Sequence, residues 1–439
     1  MFYEPARPVA EYFQERTRQQ PENPFAALIP DQEIAIVPSF TLESGVTLNN
    51  VPVAYTARGK LSPNRDNAMV ICHALTGSSD VSDWWGPLIG GPGRAFDISR
   101  FFIVCVNSLG SPYGTASPVT AKDGDPSKGT YGPEFPLTTI RDDVNAWGIS
   151  WGEAQRQSIY ADPKYDDGYY SFSDPPVTGL GAARMSALLT YRSRNSFEAR
   201  FGRNAPDPSR RQTIREAPRP STPSEAHFHI HNDGHRITKL SRNNSSPDKP
   251  SVETNGDNTD TATTRSPDPE YSGPKRESLV GGDSMPATTY FSAQSYLRYQ
   301  SQKFVKRFDS NCYIAITRKL DTHDVSRYRA DTIADALAMI EQPTLVLGIE
   351  SDGLFTFAEQ QEIAEHVKNA RLEKIDSQEG HDAFLLQFEQ VNRYILDFLK
   401  ENLPDIMGKQ GELVEQANVG QMTKSSTFGE AEVEDITAW

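Results

Sequence analysis

Two continuous apolar runs limit the folds open to this chain more than any other feature. They are AMVICHA at residues 68–74 and FFIVCVN at residues 101–107. Strands of an antiparallel sheet usually alternate apolar and polar residues, whereas strands covered on both faces of a parallel sheet are apolar throughout. The two runs therefore predict a buried parallel sheet with helices packed on both sides.

Shorter apolar runs extend this pattern toward both ends of the chain. Residues 34–37 and 51–55 are separated by turn residues and predict an antiparallel pair at the sheet edge. Farther along, the strand-like TLVLGI (344–349) and LEKI (372–375) are each followed by a helix-like stretch. Because alternating strands and helices are typical of an α/β fold, we expect the two ends to form halves of one doubly wound, mostly parallel sheet.

The middle of the chain differs in composition from both ends. Residues 147–203 and 296–337 are helix-rich and aromatic, with the mixed faces expected of a helical cap. The intervening stretch is dense in Pro, Ser, Thr, Asn and charge, so it buries too little apolar area to offset its ordering entropy. We predict core segments at 24–145 and 338–403, a helical lid at 146–337 with a disordered insertion at 204–288, and a flexible tail at 404–439.

Four histidines lie within that insertion, in the spacing H-x-H-x-H-x-x-x-H: His227, His229, His231 and His235. Such a spacing can chelate a transition metal. No acidic or cysteine ligand set completes a rigid site beside them, so we interpret the tract as a solvated polar segment and predict no metal site.

Charge and hydropathy argue against two classes of partner. The net charge is −15 and there is no long basic run, so a nucleic-acid partner is not expected. No apolar run approaches the roughly 18 residues of a membrane span, and the N-terminus lacks a secretory pattern. We expect a soluble, cytoplasmic protein. Its three cysteines, Cys72, Cys105 and Cys312, lack a metal or redox spacing and are interpreted as buried reduced thiols.

The strongest local signal for catalysis is a carboxylate and an imidazole that follow two successive predicted strands. Asp352 follows TLVLGI, and His381 follows LEKI. In an α/β hydrolase the triad runs in the chain order Ser, Asp, His, with the acid and the base on loops after strands. The acid holds the imidazole tautomer, and the imidazole takes the nucleophile's proton. The alternatives are a helix N-cap for Asp352 and a structural loop histidine for His381.

A second signal is the segment HALTGS at residues 73–78, which ends the first apolar run. Acyl transfer passes through a tetrahedral oxyanion that backbone N–H groups must stabilise, and in this fold one such group comes from a loop after a strand. The segment is therefore a candidate oxyanion loop, with an ordinary strand-to-loop turn as the alternative.

Ordered blocks of sequence over most of residues 24–403, apart from the insertion, resemble the homoserine O-acetyltransferase family. The blocks are HALTGSSD, DWWGPLIGGPGRAFD, FFIVCVNSLGSPYGTASP, YGPEFPLTTIRDDV, WGISWGEAQRQSIYADP, ARMSALLTYRS, KFVKRFDSNCYIAITRKLDTHD and EGHDAF. The resemblance implies an α/β-hydrolase fold with a helical lid. It also implies a ping-pong reaction in which acetyl-CoA, a co-substrate and not a bound cofactor, acetylates a serine that then passes the acetyl group to L-homoserine. Family members also suggest a homodimer formed through the lid helices.

Matched residue by residue, the resemblance assigns six positions. The catalytic acid and base fall on Asp352 and His381, and the oxyanion amide on Leu75. The homoserine-contacting positions fall on Arg184, Tyr191 and Asp382. A guanidinium suits a substrate carboxylate and an acidic side chain suits its ammonium. Packing within the lid is the alternative for Arg184 and Tyr191.

The sequence departs from the family pattern between Val144 and Asn145. In the family a strand, the nucleophile elbow G-G-S-M-G-G, a helix and another strand follow the TTIRDDV block, a segment of about 40 to 60 residues by ordinary element lengths. Here the next block follows at once. We predict that the central strand and the catalytic serine are both missing, through a gene model that skipped coding sequence or in a true variant. We favour the former, because a sheet without its middle exposes strand edges.

Two other serines, Ser150 and Ser284, lie in glycine-containing segments that resemble a nucleophile elbow. Ser150 lies in G-I-S-W-G at residues 148–152, but an elbow requires a preceding apolar strand, and the residues before it are charged and helix-like. Ser284, in GGDSMP, lies beside the polar insertion. We therefore retain Ser150 only as a weak candidate and Ser284 as a weaker one.

Three functions fit these patterns. The first is acetyl transfer to L-homoserine in methionine biosynthesis. The second is a related acetyl transfer to serine or to a deacetylcephalosporin-type hydroxyl, and the third is a non-catalytic binding protein of the hydrolase fold. A succinyl donor is not excluded by the sequence.

Overall fold

The computed structural model describes residues 15–17, 20–143, 149–202, 204, 222, 227, 231 and 291–411. The chain divides into two units, residues 1–210 with 291–439, and residues 211–290. Nearly all of the second unit, and most of the insertion predicted at 204–288, lie outside the described residues. The tail predicted at 404–439 is described only as far as Gly411. All elements discussed below belong to the first unit.

Nine strands form three sheets among the described residues. The strands are β1 (Glu15–Thr17), β2 (Glu33–Thr41), β3 (Thr47–Arg58), β4 (Ala68–Ile71), β5 (Ile89–Gly90), β6 (Phe96–Asp97), β7 (Phe102–Val106), β8 (Thr344–Gly348) and β9 (Ala370–Lys374). The largest sheet has the order β1-β2-β3-β7-β4, while β5 pairs with β6 and β8 pairs with β9. The apolar runs at 34–37, 51–55, 68–74 and 101–107 thus all contribute to one sheet, as predicted.

The large sheet is mixed: its pairs are antiparallel from β1 to β7 and parallel between β7 and β4. β2 and β3 are antiparallel because residues 42–46 connect them as a hairpin, and β3 is also antiparallel to β7. β4 and β7 are parallel, with Val70 opposite Val104, and β8 and β9 are parallel. We expected a mostly parallel sheet, but in the larger sheet only the β7–β4 pair is parallel.

The two halves of the core are separate in their backbone hydrogen bonding. Within the described part of the chain, β4 pairs only with β7, and β8 pairs only with β9. Val70 on β4 is 67% exposed, although it stands in an apolar strand of the type that is normally covered. The single sheet expected from the two chain ends is therefore divided, with no described strand between β4 and β8.

Twelve helices complete the labelled elements of the described chain: α1 (Val81–Trp85), α2 (Ile140–Asp143), α3 (Ile149–Tyr160), α4 (Val177–Tyr191), α5 (Arg194–Arg200), α6 (Ser292–Phe304), α7 (Ser310–Asp321), α8 (Ile333–Ala338), α9 (Phe357–His366), α10 (Ala383–Leu386), α11 (Phe388–Asn402) and α12 (Pro404–Met407). Side-chain caps begin several of them, as Ser193 does for α5 and Asp309 for α7. Helices α3 to α8 lie in the segment predicted as a lid, and we refer to them as the lid helices.

Apolar clusters join parts of the described chain that are distant in sequence. Buried Ile71 and Ile103 from the large sheet pack in one cluster with Ile349 and Ile375 from the β8–β9 half, so side chains join the two halves. A second cluster combines residues of α3, α4, α6 and α7 with residues that precede position 145, namely Ile159, Leu180, Phe304 and Tyr313 with Ile29, Tyr113 and Val119. No helix among the described residues is long and apolar enough to cross a membrane.

Candidate active site

Asp352 and His381 come together at the carboxyl ends of β8 and β9. The Nδ1 atom of His381 lies 2.9 Å from Oδ2 of Asp352. The carboxylate is buried, and its other oxygen accepts the backbone N–H groups of Leu354 and Phe355 at 2.8 and 3.0 Å. Because an ionised carboxylate only accepts hydrogen bonds, the proton of a neutral His381 stands on Nδ1 and the lone pair on Nε2.

The geometry bears on the alternative interpretations of both residues. Helix α9 begins with a capping box between Thr356 and Glu359, so Asp352 is not its N-cap. His381 contacts a carboxylate and lies among three aromatic rings, with centroid distances of 4.9 Å to Phe355, 5.2 Å to Phe384 and 6.1 Å to Tyr191. These rings restrict the approach of water to the imidazole.

The candidate oxyanion loop is fixed by a histidine that bridges two backbone groups. The carbonyl of Ala74 accepts the N–H of Gly77 at 2.8 Å and lies 2.8 Å from Nδ1 of His73. The amide of Ser108 donates to Nε2 of His73 at 3.1 Å. Since a backbone N–H can only donate, Nε2 must accept, and the proton of His73 is on Nδ1. The two contacts of the Ala74 carbonyl, with Gly77 and with His73, orient the peptide group that also carries the N–H of Leu75.

A buried arginine holds the next turn of this loop. The Nη1 atom of Arg307 donates to the carbonyl of Thr76 and to the hydroxyl of Tyr113, both at 3.0 Å. Burial raises the pKa of Tyr113 to about 12, so the phenol remains protonated and can accept this bond. Sequence reasoning included His73 in the candidate loop but missed the role of its imidazole, and it missed Arg307 altogether, because Ser108 and Thr76 lie 35 and 231 residues away from these side chains in the chain.

Arg184 and Tyr191 are neighbours on helix α4. The Nη1 atom of Arg184 donates to the Tyr191 hydroxyl at 3.3 Å, and the guanidinium lies 4.8 Å from the ring centroid of Phe304. Arg184 is buried, and Tyr191 stands between it and the cavity described below. The pair therefore packs within the lid helices and also presents the Tyr191 side chain to the cavity, so the packing interpretation and the substrate-binding interpretation are compatible.

Asp382 lies in an ion network that sequence reasoning missed. Its Oδ2 atom is 2.7 Å from Nε of the buried Arg192, which follows helix α4. Nη1 of Arg192 is 2.5 Å from Glu379, which also binds Arg200 and the Ser196 hydroxyl. In the sequence, the only sign of this network is a group of charged residues near the EGHDAF block. Charge alone does not show which arginine pairs with which carboxylate.

A cavity of about 620 Å³ connects these groups. Leu75, Tyr191, His381 and Asp382 all line it, while Asp352 and Arg184 lie behind this lining, against His381 and Tyr191. Its walls extend from lid helices to Val70 on the exposed side of β4. The volume is in the range of small-molecule sites.

The remaining candidates for a nucleophile or a metal site lie largely outside the described residues. Ser150 lies within helix α3 and not at a strand-to-helix turn, and its side chain is outside the described residues, as is Ser284. His229 and His235 are also outside, and the described residues contain no group of three metal-ligating side chains. Cys105 and Cys312 are buried as predicted, whereas Cys72 is exposed because it belongs to the open side of β4.

The chain is similar to fungal proteins over almost its whole length. It is 60% identical to a homoserine O-acetyltransferase of Emericella nidulans, over 97% of this chain and 98% of the relative. It is 50% identical to a homoserine O-acetyltransferase of Schizosaccharomyces pombe, over 96% of each chain. The first alignment runs over 489 positions, more than the 439 residues here, so the relative has residues with no counterpart in this chain.

Solved structures agree on the fold. The homoserine O-acetyltransferase from Bacillus anthracis matches with a TM-score of 0.58 at 17% identity, over 85% of this chain and 98% of the other. Esterase E22 matches with a TM-score of 0.58 at 18% identity, over 84% of this chain and 99% of the other. At such identities the likeness shows the α/β-hydrolase fold alone. No protein-family model matches the chain. Together, the order of Asp352 and His381, the loop at Leu75 and the high identity to the fungal relatives show that the chain belongs to the homoserine O-acetyltransferase family.

Proposed function

We propose that this protein transfers an acetyl group from acetyl-CoA to the hydroxyl of L-homoserine, a step of methionine biosynthesis in the cytoplasm. The observation that carries the proposal is the hydrogen bond between the buried carboxylate of Asp352 and His381, whose imidazole lines the cavity. A base of this kind serves both halves of a ping-pong reaction. It takes the proton of a serine as that serine attacks the thioester, and later the proton of homoserine.

Each proposed step uses a group that lines or supports the cavity. Nε2 of His381 takes the nucleophile's proton and returns it to the leaving thiolate, while Asp352 stabilises the imidazolium. The N–H of Leu75 stabilises the oxyanion. Tyr191 and Arg184 bind the homoserine carboxylate, and Asp382 binds its ammonium.

We further propose that the nucleophile belongs to a segment missing between Val144 and Asn145. Three observations support this. The sheet is divided between β4 and β8, Val70 is exposed there, and the alignment with the Emericella relative is longer than this chain. A strand and elbow in that position would cover the edge of β4 and bring a serine to the cavity. The acetyltransferase activity would then require the longer form.

Intact-mass analysis with peptide mapping tests both proposals. The purified 439-residue chain is incubated with acetyl-CoA and then chased with L-homoserine. We expect no acetyl adduct on this chain, and an adduct that homoserine removes on a form that carries the segment. An adduct on the chain as written, removed by homoserine, would refute the missing-nucleophile proposal and identify another serine.

A non-catalytic binding protein is the second candidate, and the divided sheet favours it. Such a protein would bind L-homoserine and turn over no acetyl group even when the segment is restored. Transfer to serine or to a deacetylcephalosporin-type hydroxyl in place of homoserine would support the related acetyltransferase. A homodimer through the lid helices stays a prediction, for which sedimentation is the measurement.

A further inference from the structure

Four charged side chains join the lid to the loop that carries His381. Arg192 and Arg200 come from the end of α4 and from α5, whereas Glu379 and Asp382 come from the loop after β9. Two guanidiniums and two carboxylates have a combined formal charge of zero. We call these four residues the lid–loop network.

Arg192 is the central member of this network. Its side chain is 3% exposed and holds Asp382 by Nε at 2.7 Å and Glu379 by Nη1 at 2.5 Å. Burying a guanidinium so completely is costly unless carboxylates and hydrogen bonds compensate it. The contact fixes one oxygen of Asp382 and thereby sets the orientation of a carboxylate that lines the cavity.

Glu379 does not line the cavity, and its carboxylate contacts three side chains. Its carboxylate accepts from Arg192, from Nε and Nη2 of Arg200 at 3.2 and 3.0 Å, and from the Ser196 hydroxyl. Although partial burial raises its pKa, hydrogen bonds from Arg200 and Ser196 and the charges of both arginines lower the pKa overall. Glu379 is therefore ionised at neutral pH.

This arrangement has a consequence for the charge that Asp382 presents. A carboxylate paired with a guanidinium attracts a second cation weakly, because the two charges nearly cancel at a distance. We infer that Glu379 and Arg192 are positioning residues for the amino group of the acceptor: Arg192 orients Asp382, and Glu379 cancels the charge of Arg192. The inference rests on the proposed function, because Asp382 is the group that would receive the ammonium.

The test compares two ligands that differ only in that ammonium. L-Homoserine and 4-hydroxybutanoate share the hydroxyl and the carboxylate, and calorimetric titration of the full chain gives the affinity for each. The ratio of the two affinities is the amine preference. Substitution Glu379→Gln keeps the size of the side chain and one of its two acceptor oxygens, and it removes the charge. We expect it to lower the amine preference about tenfold, with 4-hydroxybutanoate bound as well as before or slightly better.

A second variant tests the sign of the effect. Arg200→Gln removes a positive charge from the same network, so it should raise the amine preference about two- to threefold. The change should be smaller than at Glu379, because Glu379 contacts Arg192 directly, whereas Arg200 contacts Glu379. Opposite changes from two neighbouring substitutions are not expected of residues that only hold the lid in place. Glu401→Gln, which breaks the exposed ion pair with Arg371, is the control and should change neither affinity.

Two outcomes separate this inference from the proposed function. If the unsubstituted chain binds L-homoserine no better than 4-hydroxybutanoate, recognition of the amine by Asp382 is wrong and the inference is wrong with it. If the unsubstituted chain prefers L-homoserine and both variants keep that preference, or both weaken the two ligands equally, the proposed function stands and the inference is overturned.

Discussion

A Cβ atom added to Gly380 would lie 2.3 Å from the backbone nitrogen of Ser193, far inside contact distance. Gly380 directly precedes His381 and has a φ of +73°. We expect Gly380→Ala to destabilise the fold by about 3 kcal/mol, because the left-handed backbone costs about 1 to 2 kcal/mol and the forced contact adds to it. Urea unfolding measures the change.

Gly45→Ala is the control for that substitution. Gly45 also has a positive φ, +84°, but nothing lies within 4 Å of the added carbon. It should therefore cost only the backbone term, about 1 to 2 kcal/mol. Equal destabilisation by the two variants would contradict the close packing of the His381 loop against the lid.

Asp352→Asn should reverse the tautomer of His381. The side-chain oxygen would keep the two backbone N–H donors of Leu354 and Phe355, so the amide nitrogen would face Nδ1 of His381. Nδ1 would then accept, and the proton would move to Nε2, where a base must be unprotonated. Nitrogen NMR of the labelled imidazoles measures this. Asp376→Asn, an exposed carboxylate on the same loop, should leave the His381 signals unchanged.

His73→Ala should expose the amide of Ser108 to exchange with solvent. The imidazole is its hydrogen-bond acceptor at 3.1 Å, and a hydrogen bond of this kind contributes about 1 kcal/mol, equivalent to about fivefold faster exchange. Hydrogen–deuterium exchange resolved at Ser108 measures the rate. Cys72→Ala, the adjacent substitution, should have no effect there. An unchanged rate in His73→Ala would show that His73 does not fix the candidate oxyanion loop.

Only Cys72 of the three thiols should react with iodoacetamide in the folded protein. Burial raises the pKa of Cys105 to about 12 and raises that of Cys312 well above its usual value, because a thiolate is disfavoured away from water. Both thiols therefore remain protonated at pH 8. Peptide mapping should find one modified cysteine before denaturation and three after it. Rapid native labelling of Cys105 would contradict the packing of β7.

Local sequence patterns were sufficient to predict the strands and the proximity of Asp352 and His381. The apolar runs ended where β4, β7, β8 and β9 end, to within a few residues. Loops that follow neighbouring parallel strands all lie at the carboxyl ends of those strands. Asp352 and His381 could therefore be placed close together from the sequence alone.

The lid–loop network and the two supports of the oxyanion loop were not predictable in the same way. Arg192 and Glu379 are 187 residues apart in the chain, and Arg307 and Thr76 are 231 apart. Contacts at such separations depend on how the lid lies on the core, which no local pattern encodes. The division of the sheet was predicted only as a missing segment, and the structure adds that both halves keep their own strand pairing.

Because no described strand pairs with the outer edge of β4, we expect association of this chain to depend on concentration. An unpaired strand edge presents N–H and C=O groups to any extended segment, and Val70 adds an apolar contact at the same place. In a dilute solution the nearest such segment belongs to the same molecule, whereas in a crowded one it belongs to another. At four residues, β4 is short enough to limit the strength of such pairing. We therefore expect association through this edge only at high protein concentration.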